Sequence, residues 1–428
     1  MPDPFPSPPR APAHEYTARE LWRFPPVRRL LLSNFAIYAG VALQATALLK
    51  QAFDLTGNES DIGFIGLAEF LPAMLLVLVT GSVADRFPRK VIAVVAVGGE
   101  LLCSIALGVY ALSGPTAVGP LFVIAFVYGV ARAFQAPAIR SMPPMVAPDG
   151  ALPRTIALFS ATWTTAIIIG PAASGFLYAV DPWLAYATSS LLILLGVLGL
   201  MTLRFVRQPE QRNPDERPTL HSALEGLRFV RRTPVLFAAI SLDLFAVLFG
   251  GAVALLPVIA EERLGVGDVA YGWLRAAPGM GAAAMAVFIA ARPVKRRIGP
   301  TLFMAVGVFG LATLVLGTTR TYAVAFAALV VLAAADMVSV FIRSSLVPLV
   351  TPDDKRGRVL AVENVFIGAS NELGAFESGV AAQAFGTPAT VIGGGIGTLV
   401  VVGVWALAFP SLRRIDRFED VETERIPV

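Results

Sequence analysis

From Leu30 to Pro410 the chain alternates between long apolar runs and short polar breaks. Each run has about the 20 residues that an α-helix needs to cross the hydrocarbon layer of a bilayer. Twelve spans follow from that pattern, at 30–52, 61–83, 91–112, 119–140, 155–178, 184–203, 234–257, 270–291, 300–317, 322–349, 359–384 and 388–409. The one long hydrophilic stretch, 204–233, divides them into two sets of six. The expected organisation is therefore an N-terminal tail (1–27), a six-helix bundle (28–204), a linker (205–233), a second six-helix bundle (234–410) and a C-terminal tail (411–428). Within the linker, 208–217 is polar and proline-bearing, whereas Leu220, Leu224, Leu227 and Val230 recur at helical spacing opposite Arg228, Arg231 and Arg232. That second part predicts a short amphipathic helix lying on a membrane surface.

Composition makes the membrane the solvent. Hydrophobic residues are 56% of the chain and charged residues 15%, with a mean hydropathy of +0.71, too little polar surface for a dispersed soluble domain. The first 13 residues are proline-rich without an apolar core, the pattern of a disordered tail and not of a cleavable signal. Of the 34 basic residues, 28 fall on the side that carries both ends and the middle linker. By the positive-inside rule both termini are cytoplasmic. The same distribution, spread over separate short loops, accounts for the pI of 9.4 and gives no nucleic-acid surface. Cys103 is the single cysteine, and His14 and His221 lie outside the apolar runs. No histidine metal site, no nucleophile with a base at readable spacing and no P-loop is present, so no cofactor, metal or enzymatic activity is expected.

The halves repeat each other. Pro144-Met145-Val146-Ala147-Pro148-Asp149 returns 204 positions later as Pro348-Leu349-Val350-Thr351-Pro352-Asp353. The same offset carries Arg154, Gly170, Ser174 and Gly175 onto Arg358, Gly374, Ser378 and Gly379. An offset of 206 carries Gly66, Pro72 and Met74 onto Gly272, Pro278 and Met280. Two homologous halves about an axis along the membrane normal explain this register. The ionisable residues break it: Glu69 falls on Arg275, Arg132 on Asp336, and Glu372 and Glu377 replace Ile168 and Ala173.

The loop after the second span reads Gly81-Ser82-Val83-Ala84-Asp85-Arg86-Phe87-Pro88-Arg89-Lys90. It resembles the Gly-x-Leu-Ala-Asp-Arg-x-Gly-Arg-Lys motif of the major facilitator superfamily, with Val83 and Pro88 as departures. The fifth span carries Gly170-Pro171-Ala172-Ala173-Ser174-Gly175, similar to the helix-bending Gly-Pro motif of that superfamily's exporters, with Ala166 and Ser174 in place of two glycines. Small residues let helices approach, and Pro171 removes one backbone hydrogen bond. Leu55-Thr56-Gly57, the stretch from Ala133 to Ala138, and the run from Ser370 to Gly379 resemble the enterobactin-exporter-like, or transmembrane secretion effector, branch. The resemblance implies an all-α membrane fold of twelve helices in two pseudo-symmetric bundles, working as a monomer in the bacterial cytoplasmic membrane. It also implies proton-coupled export of a small amphipathic molecule, siderophore- or drug-like. Lysophospholipid flipping, solute uptake by symport, and a membrane sensor are the alternatives.

An ionisable group near the bilayer centre costs at least about 2.5–3.5 kcal/mol, so each needs a partner or a wet cavity. Arg132, Asp243, Asp336, Arg343 and Glu372 lie well inside their spans, whereas Glu69, Glu100 and Arg275 read more readily as structural pairs. In the resembled fold, spans 1, 4, 7 and 10 line the cavity. That makes Arg132, Arg343, Asn34, Tyr38 and Gln135 the substrate-cavity candidates, and Asp336, Asp243 and Glu372 the proton-coupling candidates. The gating motif is expected to act as a latch: Asp85 would bind the free N–H groups at the start of span 11, near Gly357 to Val359, with Arg86 and Arg89 orienting it.

Overall fold

The computed structural model describes residues 16–206 and 220–422, apart from the side chains of 77–79, 81, 82, 84–86, 220–223, 353, 354 and 422. The described chain is helical throughout. In order it forms α1 (Ala18–Arg23), α2 (Pro25–Thr56), α3 (Glu59–Arg86), α4 (Arg89–Leu112), α5 (Gly119–Arg140), α6 (Pro143–Val146), α7 (Leu152–Tyr178) and α8 (Pro182–Met201). After the linker come α9 (Leu220–Arg232), α10 (Pro234–Phe249), α11 (Leu256–Val258), α12 (Asp268–Ala291), α13 (Ile298–Thr318), α14 (Tyr322–Val350), α15 (Asp353–Phe385), α16 (Thr387–Ala408), α17 (Pro410–Arg413) and α18 (Glu419–Glu422).

Ten helical segments are long and apolar enough to cross a membrane. The expected count of twelve also included α3 and α15. The first is only partly described, and the second carries Glu363, Glu372 and Glu377 along its length. The seventh span is a broken rod, not the single helix expected over 234–257. It passes from α10 through a 3₁₀ turn (Gly251–Val253) and α11 into a π turn (Ile259–Arg263). Gly250 and Gly251 favour the break, and a Cβ on Gly251 would lie 2.2 Å from the Gly374 carbonyl oxygen. The repeat is imperfect at the junctions too. Pro143 and Pro144 end α5 and leave the one-turn α6, whereas the related stretch with Pro348 alone stays within α14.

The tails are more ordered than expected. The tail predicted over 1–27 is helical from Ala18, where Thr17 and Glu20 form a capping box; residues 1–15 lie outside the described residues, as does the 208–217 part of the linker. In the C-terminal tail, Leu412 and Ile415 enter the core of the second bundle, and the Ile298 N–H donates to the Asp416 carbonyl. Asp416 also takes the Arg297 N–H and Arg296, which hold its carboxyl below the usual range.

Each bundle has its own apolar cores, and the bundles meet through two helix pairs, α7 with α12 and α3 with α15. Close approach requires glycine here. A Cβ on Gly175 would lie 2.8 Å from Gly272 Cα, and one on Gly379 would lie 3.0 Å from Gly63 Cα. Strict repeat symmetry pairs Gly379 with Gly66, so the α3–α15 contact has slipped three residues, nearly one turn, relative to α7–α12. α1, α9, α17 and α18 gather at one end of the molecule, the tail end. The opposite end, carrying the turns at Gly57, Gly114 and Gly386, is the far end.

Candidate functional site

Between the bundles lies a cavity of about 460 Å³. Its walls combine apolar side chains, among them Leu49, Ile62 and Phe309, with five charged ones: Glu69, Arg132, Arg275, Asp336 and Glu372. Arg132 Nη1 stands 3.6 Å from Glu69 Oε2 in its own half and 3.6 Å from Glu372 Oε1 in the other. Its side chain is 48% accessible although deep in the protein, and that exposed surface is cavity wall. Arg275 donates from Nη1 to the Val253 carbonyl (3.1 Å), a carbonyl freed by the broken seventh span. Asp336 has no ion pair among the described residues. It also lines a side crevice of about 10 Å³ shared with Asp243 and Ser339.

Asp243 and Arg343 form a second cluster behind that crevice. Arg343 Nη2 lies 2.9 Å from Asp243 Oδ1 and Nη1 lies 3.6 Å from Glu363 Oε1. Arg343 Nε donates to Ser339 Oγ (3.4 Å), which in turn donates to Asp243 (3.4 Å). The Arg343 side chain is 3% exposed and does not line the main cavity.

The other polar candidates turn into the N-terminal bundle. Asn34 donates to Thr162 Oγ1 (2.8 Å) and the Phe159 carbonyl (3.3 Å), tying α2 to α7. Tyr38 packs on the bundle core, and Gln135 is buried. None of the three lines the cavity. Gln135 is one turn beyond Arg132, but its side chain is buried, 3% exposed, and stays out of the cavity.

The helix-bend motif is a packing device. Ser174 Oγ donates to the Leu43 carbonyl (2.9 Å), and a Cβ on Gly170 would meet the Ala39 carbonyl oxygen at 2.8 Å, so both hold α7 to α2. Pro171 lies inside α7, and Gly175 faces α12. In the gating motif, the side chains of Gly81, Asp85 and Arg86 lie outside the described residues. Lys90 is committed elsewhere: its Nζ donates to the carbonyls of Met201 (2.7 Å) and Leu203 (2.8 Å), closing the C-terminus of α8 together with Arg29. Arg89 is half-buried at the start of α4. The latch's expected receptor is also displaced. α15 begins at Asp353 with Pro352 as its N-cap, about one turn before Gly357, because a proline followed by two aspartates suits a helix start.

At the far end the bundles are joined by groups absent from the sequence-based candidates. Lys50 is paired with Asp54 on its own helix and with Glu261 (2.9 Å) and Asp268 (3.5 Å) across the interface. Tyr178 donates to Asp54 (2.7 Å) and Tyr271 to the Thr46 carbonyl (3.1 Å). Phe53, Ile62 and Val258 form an apolar plug beneath.

The model of the transmembrane secretion effector family matches residues 26–427. The chain belongs to that family, within the major facilitator superfamily. This secretion effector is 24% identical over 413 residues to the multidrug efflux pump Tap of Mycolicibacterium fortuitum, covering 91% of this chain and 97% of that one. It is 26% identical over 245 residues to macrolide efflux protein A of Streptococcus pyogenes, covering 54% of this chain. The chain spans 59% of the length of that macrolide efflux relative. Among solved structures, a bacterial homologue of the human lysosomal transporter Spinster, inward-facing and unoccupied, superposes with a TM-score of 0.70 over 94% of this chain and 98% of that one, at 14% identity. A D-xylose-proton symporter superposes with a TM-score of 0.67 over 90% and 97%, at 15% identity. The fold is thus the facilitator fold.

Three polar residues of the cavity wall escaped the candidate set: Glu69, Arg275 and Asn371. A signal for the first two was present. The repeat pairs Glu69 with Arg275 and Arg132 with Asp336, and all four line the cavity. Positions where the repeat exchanges an acid for a base are the cavity positions.

Proposed function

We propose that this secretion effector exports a small amphipathic molecule, drug- or siderophore-like, by alternating access in exchange for protons. The observation that carries this is the charge balance of the cavity. Three carboxylates, Glu69, Asp336 and Glu372, face two guanidiniums, Arg132 and Arg275. One acid is in excess, so a single proton or one cationic group of a solute balances the site, and competition between the two is antiport. Asp336 is the favoured proton carrier because no ion pair occupies it; Asp243, reached through the crevice, and Glu372 follow. The apolar walls take the hydrophobic body of the solute, and a volume of about 460 Å³ suits drug-sized ligands. The relatives named as macrolide and multidrug efflux proteins support the same class.

The basic bias of the tail end assigns it to the cytoplasm, in the bacterial cytoplasmic membrane. The far end is then external, and its ion pairs and apolar plug correspond to a closed outer gate. When the tail end closes in its turn, Asp85 docks on the N–H groups at the start of α15. A single chain supplies both halves of the cavity, so it works as a monomer. The test is accumulation of erythromycin or a lipophilic cationic dye in inverted vesicles, with and without a pH gradient. Asp336→Asn abolishes gradient-driven accumulation while the protein stays in the membrane. Accumulation that survives in Asp336→Asn, Asp243→Asn and Glu372→Gln alike overturns the single-carboxylate carrier.

A further inference from the structure

Glu100 stands in the middle of α4 and is 1% exposed. Both of its carboxylate oxygens are buried and neither has a hydrogen-bond partner among the described residues. It does not line the cavity. Its neighbour Gly99 is where α4 and α5 touch: a Cβ there would lie 3.3 Å from Ala131 Cβ, the residue before Arg132. Among the described residues, five titratable groups act on the Glu100 carboxyl. Arg132 and Tyr128 face it from α5, Glu69 from α3 and Tyr38 from α2, with Cys103 on its own helix. From α8 the polar groups opposite α4 are the hydroxyls of Ser189 and Ser190, both bonded to Ser104.

An unpaired carboxylate is not sustained in an apolar interior; such a group holds its proton. Arg132 is the only guanidinium among the groups facing Glu100, and in this state it is drawn to Glu69 and Glu372. Its bond to Glu372 crosses between the halves, so it breaks when they part. Arg132 is then left with Glu69 alone, 3.6 Å away, and Glu100 is the other acid of its own half within its reach. We propose that Glu100 is a proton site of the N-terminal half, exchanging its proton for Arg132. As Arg132 leaves Glu372 and turns toward α4, it admits water from the cavity to Glu100; the Glu100 O–H bond breaks, the proton passes to that water, and the new carboxylate receives the guanidinium. The return of Arg132 to Glu372 reverses each step. The idea rests on the proton-coupled export proposed above and adds a second titrating group, in the other half from Asp336.

Infrared difference spectra of the full chain in nanodiscs, taken between about pH 5 and about pH 9, read the neutral acid directly. The carbonyl band of a protonated carboxylic acid is expected at neutral pH, lost in Glu100→Gln and retained in Glu69→Gln. In Glu372→Gln, which removes one rival for Arg132, the band titrates at lower pH. Glu100→Met, of similar size and without hydrogen-bonding groups, is expected to unfold at the wild-type temperature, since the neutral form already packs without partners. With erythromycin as probe in proteoliposomes, Glu100→Gln falls to the accumulation seen without a pH gradient, while exchange at equal pH persists. A band of full intensity in Glu100→Gln, or full gradient-driven accumulation by that variant, overturns the assignment. Wild type that ignores the gradient overturns proton-coupled export instead, and the infrared band then decides Glu100 by itself.

Discussion

Two arginines, Arg132 in the first bundle and Arg343 in the second, each stand beside two carboxylates. Those of Arg343 come from its own half, Asp243 on α10 and Glu363 on α15, and the cluster is sealed, with 3% of the arginine exposed. Those of Arg132 come from opposite halves, its distances are both 3.6 Å, and it borders the cavity. Similar chemistry therefore does two jobs. A buried ion pair is not a large net source of stability, but losing one partner leaves a charge stranded, so a sealed cluster locks its helices in register. A cluster shared between the halves and open to the cavity is cheaper to break, which suits the release that the proposed alternating access requires.

The difference is sharpest under substitution. Arg343→Met strands Asp243 and Glu363 together, and a loss of about 3–5 kcal/mol is expected, seen as a lower unfolding temperature and less folded protein in detergent. Adding Asp243→Leu to that variant is expected to restore part of it. If Arg343→Met is as stable as wild type, the cluster is not a fastener. Arg132→Ala is expected to leave stability near wild type and to remove transport of erythromycin. Arg132→Lys keeps charge but not the planar fork, and about a tenfold loss of rate is expected. A destabilised Arg132→Ala with normal transport per folded molecule would reverse the roles of the two arginines. The smallest effect belongs to Lys50. Glu261 is about half exposed, so breaking its pair with Lys50→Ala shifts the gate equilibrium by about 1 kcal/mol or less. Cysteine labelling at a cavity position from the far side, in a Cys103→Ser background, should rise a few-fold. Unchanged labelling would leave the apolar plug as the gate.

Much of this architecture could be read from residue order, because lipid imposes one rule on every span. Most of the expected spans agree with the helices to within a few residues, and the amphipathic helix of the linker is α9 itself. The break at Gly250 was missed because hydropathy does not register a glycine pair inside an apolar run. The candidate site was legible where charge interrupts the repeat, as at Arg132 and Asp336. It was misread where polarity alone guided the choice: Asn34, Tyr38 and Gln135 pack within one bundle. Lys50 was not singled out, because its partners, Glu261 and Asp268, lie more than two hundred residues away and only folding brings them together.

The linker helix has a consequence for how the gene could be cut. α9 packs on the start of α15: Glu225 bonds Arg358 at 2.6 Å, and Gly226 sits so close to the Arg358 carbonyl that a Cβ would fall 2.8 Å from it. α9 packs as part of the second bundle, so the stretch joining the two bundles is 202–219, between α8 and α9. Two polypeptides divided inside that stretch, with α9 kept on the second, would carry every contact that joins the halves among the described residues. A division after Arg232 would instead strip the second half of a strut. Co-expressed pairs cut at the two places therefore make a transporter in the first case and a weakened one in the second, which turns a helix–helix contact into a rule for where one gene can become two.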